Sequence, residues 1–168
     1  MKIKHGMILT AGLGRRMQPL TNKKPKPLLE IGGSTLLERA INLLINHGVE
    51  EITVNIHHLA DQIEKFISDF TSEVKFKISN EKDLLLDTGG GVKKGTKEFK
   101  DNPFFVINPD TLWSNKYSEE VQSLEKEYFE KYVDKARIYG VKCHSFFIDI
   151  GIPEDYILAQ DEFERLQY

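Results

Sequence analysis

Twenty-three Lys and Arg against 26 Asp and Glu leave this 168-residue chain at −3, with 40% hydrophobic and 29% charged residues. That is the balance of an ordinary water-soluble globule, and it argues against a basic nucleic-acid-binding surface. The single Cys143 excludes an internal disulfide and suits a reducing compartment. No apolar run approaches the roughly 20 residues of a bilayer span, and Met1-Lys2-Ile3-Lys4-His5 opens no signal-peptide core. The expected address is the cytoplasm, and the expected organisation is one domain over 1–168, bound to neither nucleic acid nor membrane.

Met7-Ile8-Leu9, bounded by Gly6 and Gly12, reads as a short buried strand that ends in a glycine-containing loop. A polar stretch through Pro19, Pro25 and Pro27 follows. Thr35-Leu36-Leu37-Glu38 is a capping box; Leu37, Ala40, Ile41, Leu44 and Ile45 then repeat at helical spacing until Gly48 supplies the stop. Ile52, Val54 and Ile56 alternate as a strand, and Leu59, Ile63, Phe66, Ile67 and Phe70 mark one face of a second helix. Val74, Phe76 and Ile78 predict a third strand. Residues 83–91 read as loop, 91–99 as a short helix and 103–108 as a buried strand. Farther on, the pattern predicts a charged helix near 118–132, short strands near 136–142 and 144–149, and a final helix with Pro153 in its first turn.

Strands and helices alternating as β-α-β-α-β-α-β predict an α/β fold, a three-layer α/β/α arrangement on a mostly parallel, Rossmann-like sheet, with ligand at the carboxyl ends of the strands. The first such end is Thr10-Ala11-Gly12-Leu13-Gly14-Arg15-Arg16-Met17, where two glycines leave backbone N–H groups open to a phosphate. A dinucleotide-binding loop would carry a third glycine where Met17 stands, and a P-loop would carry Gly-Lys-Ser/Thr; neither fits. A plain turn stays open on the glycines alone. Arg16 and, past Pro25, Lys26 add two cations within reach of the same strand end, the ingredients of a triphosphate site. Asp110 and Asp149 each end an apolar stretch. Two strand-end carboxylates beside a triphosphate suit Mg²⁺, although either alone reads equally well as a turn or helix-cap aspartate.

Residues 9–21 followed by Pro25-Lys26-Pro27-Leu28 resemble the signature of the sugar-phosphate nucleotidyltransferase family, with Thr10 where the family usually has alanine. Asp87-Thr88-Gly89-Gly90-Gly91, Asn108-Pro109-Asp110 and Phe147-Ile148-Asp149-Ile150-Gly151-Ile152-Pro153-Glu154 fall in the family's order. The similarity is greatest to bacterial heptose-1-phosphate guanylyltransferases and N-acetylmuramate-1-phosphate uridylyltransferases. It implies the nucleotide-diphospho-sugar transferase fold and transfer of a nucleotidyl group from a nucleoside triphosphate to a sugar-1-phosphate. GTP with a heptose- or mannose-type sugar is the favoured pair and UTP the alternative.

The resemblance further implies that Arg16 and Lys26 are catalytic, holding the leaving phosphates and the α-phosphate. Thr10, Ala11, Gly12, Gly14, Thr88, Gly89 and Gly90 would bind nucleotide, and Asp110 and Asp149 would hold Mg²⁺. The triple glycine would let a planar base lie on bare backbone; a flexible loop is its plainer reading. Residues 1–117 form the nucleotide half, and 129–168 a short closing part with the second metal aspartate. A homodimer is compatible with the resemblance. The region near 115–130, which in the family supplies much of the sugar pocket, is short; Lys131 and Lys135 could substitute. A noncatalytic nucleotide-binding paralogue is therefore the competing reading. His57-His58, lacking Cys/His partners at metal spacing, reads as structural or ribose-facing, Cys143 as a small core residue, and 119–130 as a solvated helix face.

Overall fold

The computed structural model describes residues 2–100, 102–113 and 147–166. Four strands, β1 (His5–Leu9), β4 (Glu51–Ile56), β5 (Lys75–Asn80) and β6 (Phe104–Ile107), form a parallel sheet in the order β5-β4-β1-β6. Two hairpin strands, β2 (Glu30–Ile31) and β3 (Ser34–Thr35), lie between β1 and α1 (Leu36–Asn46). The chain then runs through β4, α2 (Ala60–Asp69), β5 and α3 (Asp87–Gly95) to β6, which is the alternation predicted from the residue pattern. It moves outward from β1 to β5 and then returns to the other side of β1. The switch in direction at β1 opens a crevice at the strands' carboxyl ends, where ligands of open α/β sheets bind.

Alternation within the strands divides the sheet into two faces. Ile8, Ile52, Val54 and Ile56 pack with Leu37, Ile41 and Leu44 of α1 and Ile63 and Ile67 of α2 in the main core. α1 starts where the Thr35 hydroxyl accepts the Glu38 amide at 3.0 Å, the bond expected of the capping box. Met7, Thr53 and Asn55 face α3 on the opposite side, so helices cover both faces and the three layers follow. Gly95 of α3 allows this approach, since a Cβ there would stand 2.6 Å from Met7 Cε.

A second core lies outside the sheet. β7 (Thr111–Trp113) pairs antiparallel with β8 (Phe147–Asp149), and α4 (Pro153–Leu166) follows. Leu112, Ile148, Ile150 and Ala159 bury against Met17, Leu29, Ile31 and Leu36. Tyr156 Oη and Gln160 Nε2 both donate to the Glu30 carbonyl, at 2.6 and 2.7 Å. Phe163 lies on Gly32, whose φ of +55° and lack of a side chain both suit the contact. The closing part is thereby fixed to the β2–β3 hairpin and to the loop that contains Met17.

The segment 83–99 differs from the sequence expectation, and the short strands β2, β3 and β7 were not expected. α3 begins at Asp87, so the triple glycine lies in its first turns, and the helix ends at Gly95 before a separate 3₁₀ turn, Lys97–Phe99. Glycine is a poor helix former, but tertiary packing against the sheet overrides that preference. The expected charged helix near 118–132, the strand near 136–142, Cys143, Lys131 and Lys135 lie outside the described residues.

Candidate functional site

A cavity of about 410 Å³ opens at the carboxyl end of β1. Its walls come from the loop after β1 (Thr10 to Met17), Lys26, Asn55 at the end of β4, Leu85, Asp87 and Thr88 before and within α3, and Asn108 to Asp110 after β6. Segments far apart in the sequence meet there because parallel strands bring their carboxyl ends to one edge.

The glycine loop is shaped by specific contacts. Gly14 sits at φ 61°, ψ 24°, a left-handed conformation that favours glycine, and its carbonyl accepts from Thr21 Oγ1 at 2.8 Å and from the Met17 amide at 2.9 Å. A Cβ at Gly12 would meet nothing within 4 Å, so this residue leaves open backbone on the cavity side. Met17 is 1% exposed and belongs to the second core. The departure from G-x-G-x-x-G is thus an anchor: the side chain that replaces the third glycine pins the loop to the closing part.

Thr10 is hydrogen-bonded to the end of β4. Its amide donates to Asn55 Oδ1 at 2.7 Å and its hydroxyl donates to the Asn55 carbonyl. Both donors are engaged, although Thr10, Ala11, Gly12, Gly14, Arg16, Lys26, Thr88 and Asp110 all line the cavity as the sequence reading placed them. Gly89, Gly90 and Asp149 do not line it. A Cβ at Gly89 would meet only open space, one at Gly90 would stand 2.9 Å from Leu86 Cβ, and one at Gly91 would press on Asn55 and Glu81. The triple glycine therefore combines one open position with two tightly packed ones.

Lys26 Nζ donates to Asp110 Oδ2 at 2.7 Å, with the two side chains 15% and 28% exposed. β7–β8 pairing sets Thr111 opposite Asp149, and the Ile150 amide donates to the Asp110 carbonyl at 2.8 Å. The two aspartates predicted from separate stretches are consequently neighbours at one sheet edge. Partial burial first, and the Asp110 charge second, push the Asp149 carboxyl above its ordinary range; Lys26 and Arg16 pull it the other way. The Arg16 guanidinium lies against Gly151, its nitrogens 3.7 Å from where a Cβ would be. α4 has its own cap: Asp155 Oδ2 accepts from the amides of Gly151 and Ile152 at 3.3 and 3.2 Å. The helix-cap role weighed for Asp149 is filled by Asp155.

Two neighbouring carboxylates of like charge, Asp110 on the cavity wall and Asp149 beside it, are hard-oxygen donors suited to a divalent cation that would relieve their repulsion. No cluster of three or more His, Cys, Asp or Glu able to hold a metal occurs among the described residues, so substrate oxygens would have to complete the coordination. His57 Nδ1 lies 2.6 Å from the Glu81 carbonyl and His58 Nε2 3.4 Å from the Thr21 carbonyl.

Several cavity residues were not anticipated: Leu13, Arg15, Asn55, Leu85, Asp87 and Asn108. Asn108 ends β6 two positions before Asp110, and Asn55 holds the equivalent strand end of β4; the rule that placed Asp110 could have found both. Asp87, at φ 54°, is a left-handed non-glycine, a local strain that residue type does not reveal.

Residues 5–145 match the family model described as Nucleotidyl transferase. The N-acetylmuramate alpha-1-phosphate uridylyltransferase of Caulobacter vibrioides is 32% identical over 98% of this chain and 68% of its own length. The enzyme of the same name from Neisseria meningitidis serogroup B is 38% identical over 63% of this chain, which spans 46% of it. The mannose-1-phosphate guanyltransferase of Saccharomyces cerevisiae is 29% identical over 88% of this chain, which spans 42% of it. Among solved structures, HddC from Yersinia pseudotuberculosis, complexed with GMP-PN, superposes with a TM-score of 0.71 at 25% identity, over 96% of this chain and all of that one.

Proposed function

The chain belongs to the nucleotidyl transferase family, and from that membership we propose that it transfers a nucleotidyl group from a nucleoside triphosphate to a sugar-1-phosphate, releasing pyrophosphate. The observation that carries the reading is one cavity, at the carboxyl end of β1, lined by an open glycine loop, Arg16, Lys26 and Asp110, with Asp149 set beside Asp110 by the β7–β8 pairing.

In the proposed step, a phosphate oxygen of the sugar-1-phosphate forms a bond to the α-phosphorus of the triphosphate as the bond to the bridging α,β-oxygen breaks. A phosphate monoester has its second pKa near 6, so the nucleophile is already an anion at neutral pH and needs no general base. The work left to the protein is alignment and charge neutralisation. Gly12 and Gly14 receive the phosphates on bare backbone, Arg16 draws on the charge that builds up on departing pyrophosphate, and Lys26 faces the α-phosphate. Asp110 and Asp149 would hold Mg²⁺, which when bound supplies charge neutralisation to the phosphate oxygens. Leu85, Asp87 and Thr88 line another part of the cavity wall, where the base would lie.

GTP with a heptose- or mannose-type sugar-1-phosphate is the preferred pair, supported by the full-length likeness to a structure complexed with GMP-PN. The 32% identity to an N-acetylmuramate alpha-1-phosphate uridylyltransferase over 98% of the chain favours a second pair, UTP with an N-acetylated amino sugar-1-phosphate. Pyrophosphate release measured with Mg²⁺ across four nucleoside triphosphates and a panel of sugar-1-phosphates tests both. Faster release from GTP with heptose or mannose 1-phosphate is expected. Faster release from UTP with the amino sugar favours the second pair, and no release from any combination removes the catalytic reading.

A further inference from the structure

Residues distant in sequence form one continuous hydrogen-bonded line behind the cavity. The Thr10 amide donates to Asn55 Oδ1 at 2.7 Å, Asn55 Nδ2 donates to Glu81 Oε1 at 2.9 Å, and the Leu86 amide donates to Glu81 Oε2 at 3.1 Å. Thr10, Asn55 and Glu81 are 1%, 3% and 2% exposed. Among the described residues no Lys or Arg forms an ion pair with Glu81, so a buried carboxylate is held here by neutral donors, an expensive arrangement that demands an explanation from its position.

The position supplies it. At one end of the line is the first residue of the glycine loop; at the other is Leu86, flanked by Leu85, Asp87 and Thr88, which form another part of the cavity wall. Leu84, just before that wall, is 67% exposed, and Asp87 adopts a left-handed backbone that must be held in place. The His57 ring fixes the Glu81 backbone through its carbonyl, and Gly91 leaves room for the Asn55–Glu81 contact because a Cβ there would stand 2.9 Å from Asn55 Nδ2 and 3.0 Å from Glu81 Oε1.

We infer that Glu81, through Asn55, is a positioning residue that sets the 85–88 wall against the glycine loop, so that the base and the triphosphate of one nucleotide are bound as a unit. The inference rests on the proposed nucleotide site and adds how its two walls are kept in register. Glu81 touches no substrate; it acts through the Leu86 amide.

An exchange of side chains tests it. Glu81→Gln cannot accept from both Asn55 Nδ2 and the Leu86 amide, because its amide nitrogen must face one of two donors. Asn55→Asp sets two carboxylates against each other. In the double variant Asn55→Asp/Glu81→Gln, the carboxylate introduced at position 55 accepts from both the Thr10 amide and the side-chain amide introduced at position 81. The carbonyl oxygen of that same amide group still accepts from Leu86, so every hydrogen bond and the net charge are kept. Dissociation constants are measured with Mg²⁺ for GTP, UTP and inorganic tripolyphosphate, the last of which has no base. Glu81→Gln is expected to weaken the better nucleotide about tenfold and leave tripolyphosphate unchanged, while the double variant recovers nucleotide affinity. Equal weakening of both ligands, or unchanged nucleotide affinity in the single variant, overturns the inference. Should Glu81→Gln not fold, the double variant decides: wild-type nucleotide affinity supports the register role and a tenfold loss overturns it. A wild-type chain that binds tripolyphosphate but no nucleoside triphosphate contradicts the proposed function itself.

Discussion

Alanine at Gly91 and alanine at Gly89 are expected to move stability in opposite directions, although the two glycines are two residues apart in the same helix. At Gly91 a Cβ would lie 2.9 Å from Asn55 Nδ2 and 3.0 Å from Glu81 Oε1. Neither atom can retreat freely, because Asn55 is also held by the Thr10 amide at 2.7 Å and Glu81 by the Leu86 amide at 3.1 Å. Overpacking of this kind costs about 1–3 kcal/mol, against a helix-propensity gain of about 1 kcal/mol for Ala over Gly. The net expectation is a loss of up to about 2 kcal/mol, or roughly 4–8 °C at 2–4 °C per kcal/mol for a chain of this size. At Gly89 nothing lies within 4 Å, and only the propensity gain applies. Thermal unfolding of both variants without ligand, followed by circular dichroism, reads the difference. Gly91→Ala melting as high as Gly89→Ala would refute the reasoning, for it would mean that the Asn55–Glu81 line yields without cost.

Arg16→Ala should lower turnover by about a hundredfold, the loss typical of removing one group that stabilises transition-state charge, whereas Arg15→Ala should cost far less; steady-state pyrophosphate release compares them, and equal losses would mean the loop register is wrong. Asp110→Asn and Asp149→Asn should each abolish most turnover, and the double change should cost little more, because residues acting as a unit are strongly non-additive; additive losses in the same assay would separate the pair. Asp149→Asn should also raise the melting temperature of the ligand-free protein at pH 7 and not at pH 3. The folded state holds the Asp149 proton more tightly than the unfolded chain does, so its ionised form is destabilising at neutral pH, and the penalty disappears once both states are protonated. A nucleoside triphosphate with Mg²⁺ at a hundredfold excess over its dissociation constant should stabilise the fold by about 2.7 kcal/mol, read as a melting shift that NADH does not produce.

The fold was legible wherever one periodicity governed a whole element. The alternation of Ile52, Val54 and Ile56, the helical spacing in α1 and α2, and the capping box at Thr35 all reflect burial on one face, which residue type reports directly. The segment 83–99 was less legible because glycine removes the side chains on which periodicity depends; α3 is helical through packing of Gly91 and Gly95 on the sheet, a tertiary cause invisible to local pattern. The β2–β3 hairpin escaped because a two-residue strand carries no period. In the site, Asp110 was placed by its strand end. The meeting of Asp110 with Asp149, which the resemblance implied, depends on an antiparallel β7–β8 pairing that the sequence did not reveal. Thr10 lines the cavity as its place in the loop suggests, and only the three-dimensional arrangement reveals that both its donors bond to Asn55.

The most direct test of nucleotidyl transfer follows the α-phosphorus. Incubating the protein and Mg²⁺ with α-³²P-labelled GTP or UTP and an unlabelled sugar-1-phosphate should move the label into a nucleotide-sugar, with one pyrophosphate released for each one formed. Label that appears only in nucleoside mono- or diphosphate, or that stays in the triphosphate with every sugar phosphate offered, would contradict it.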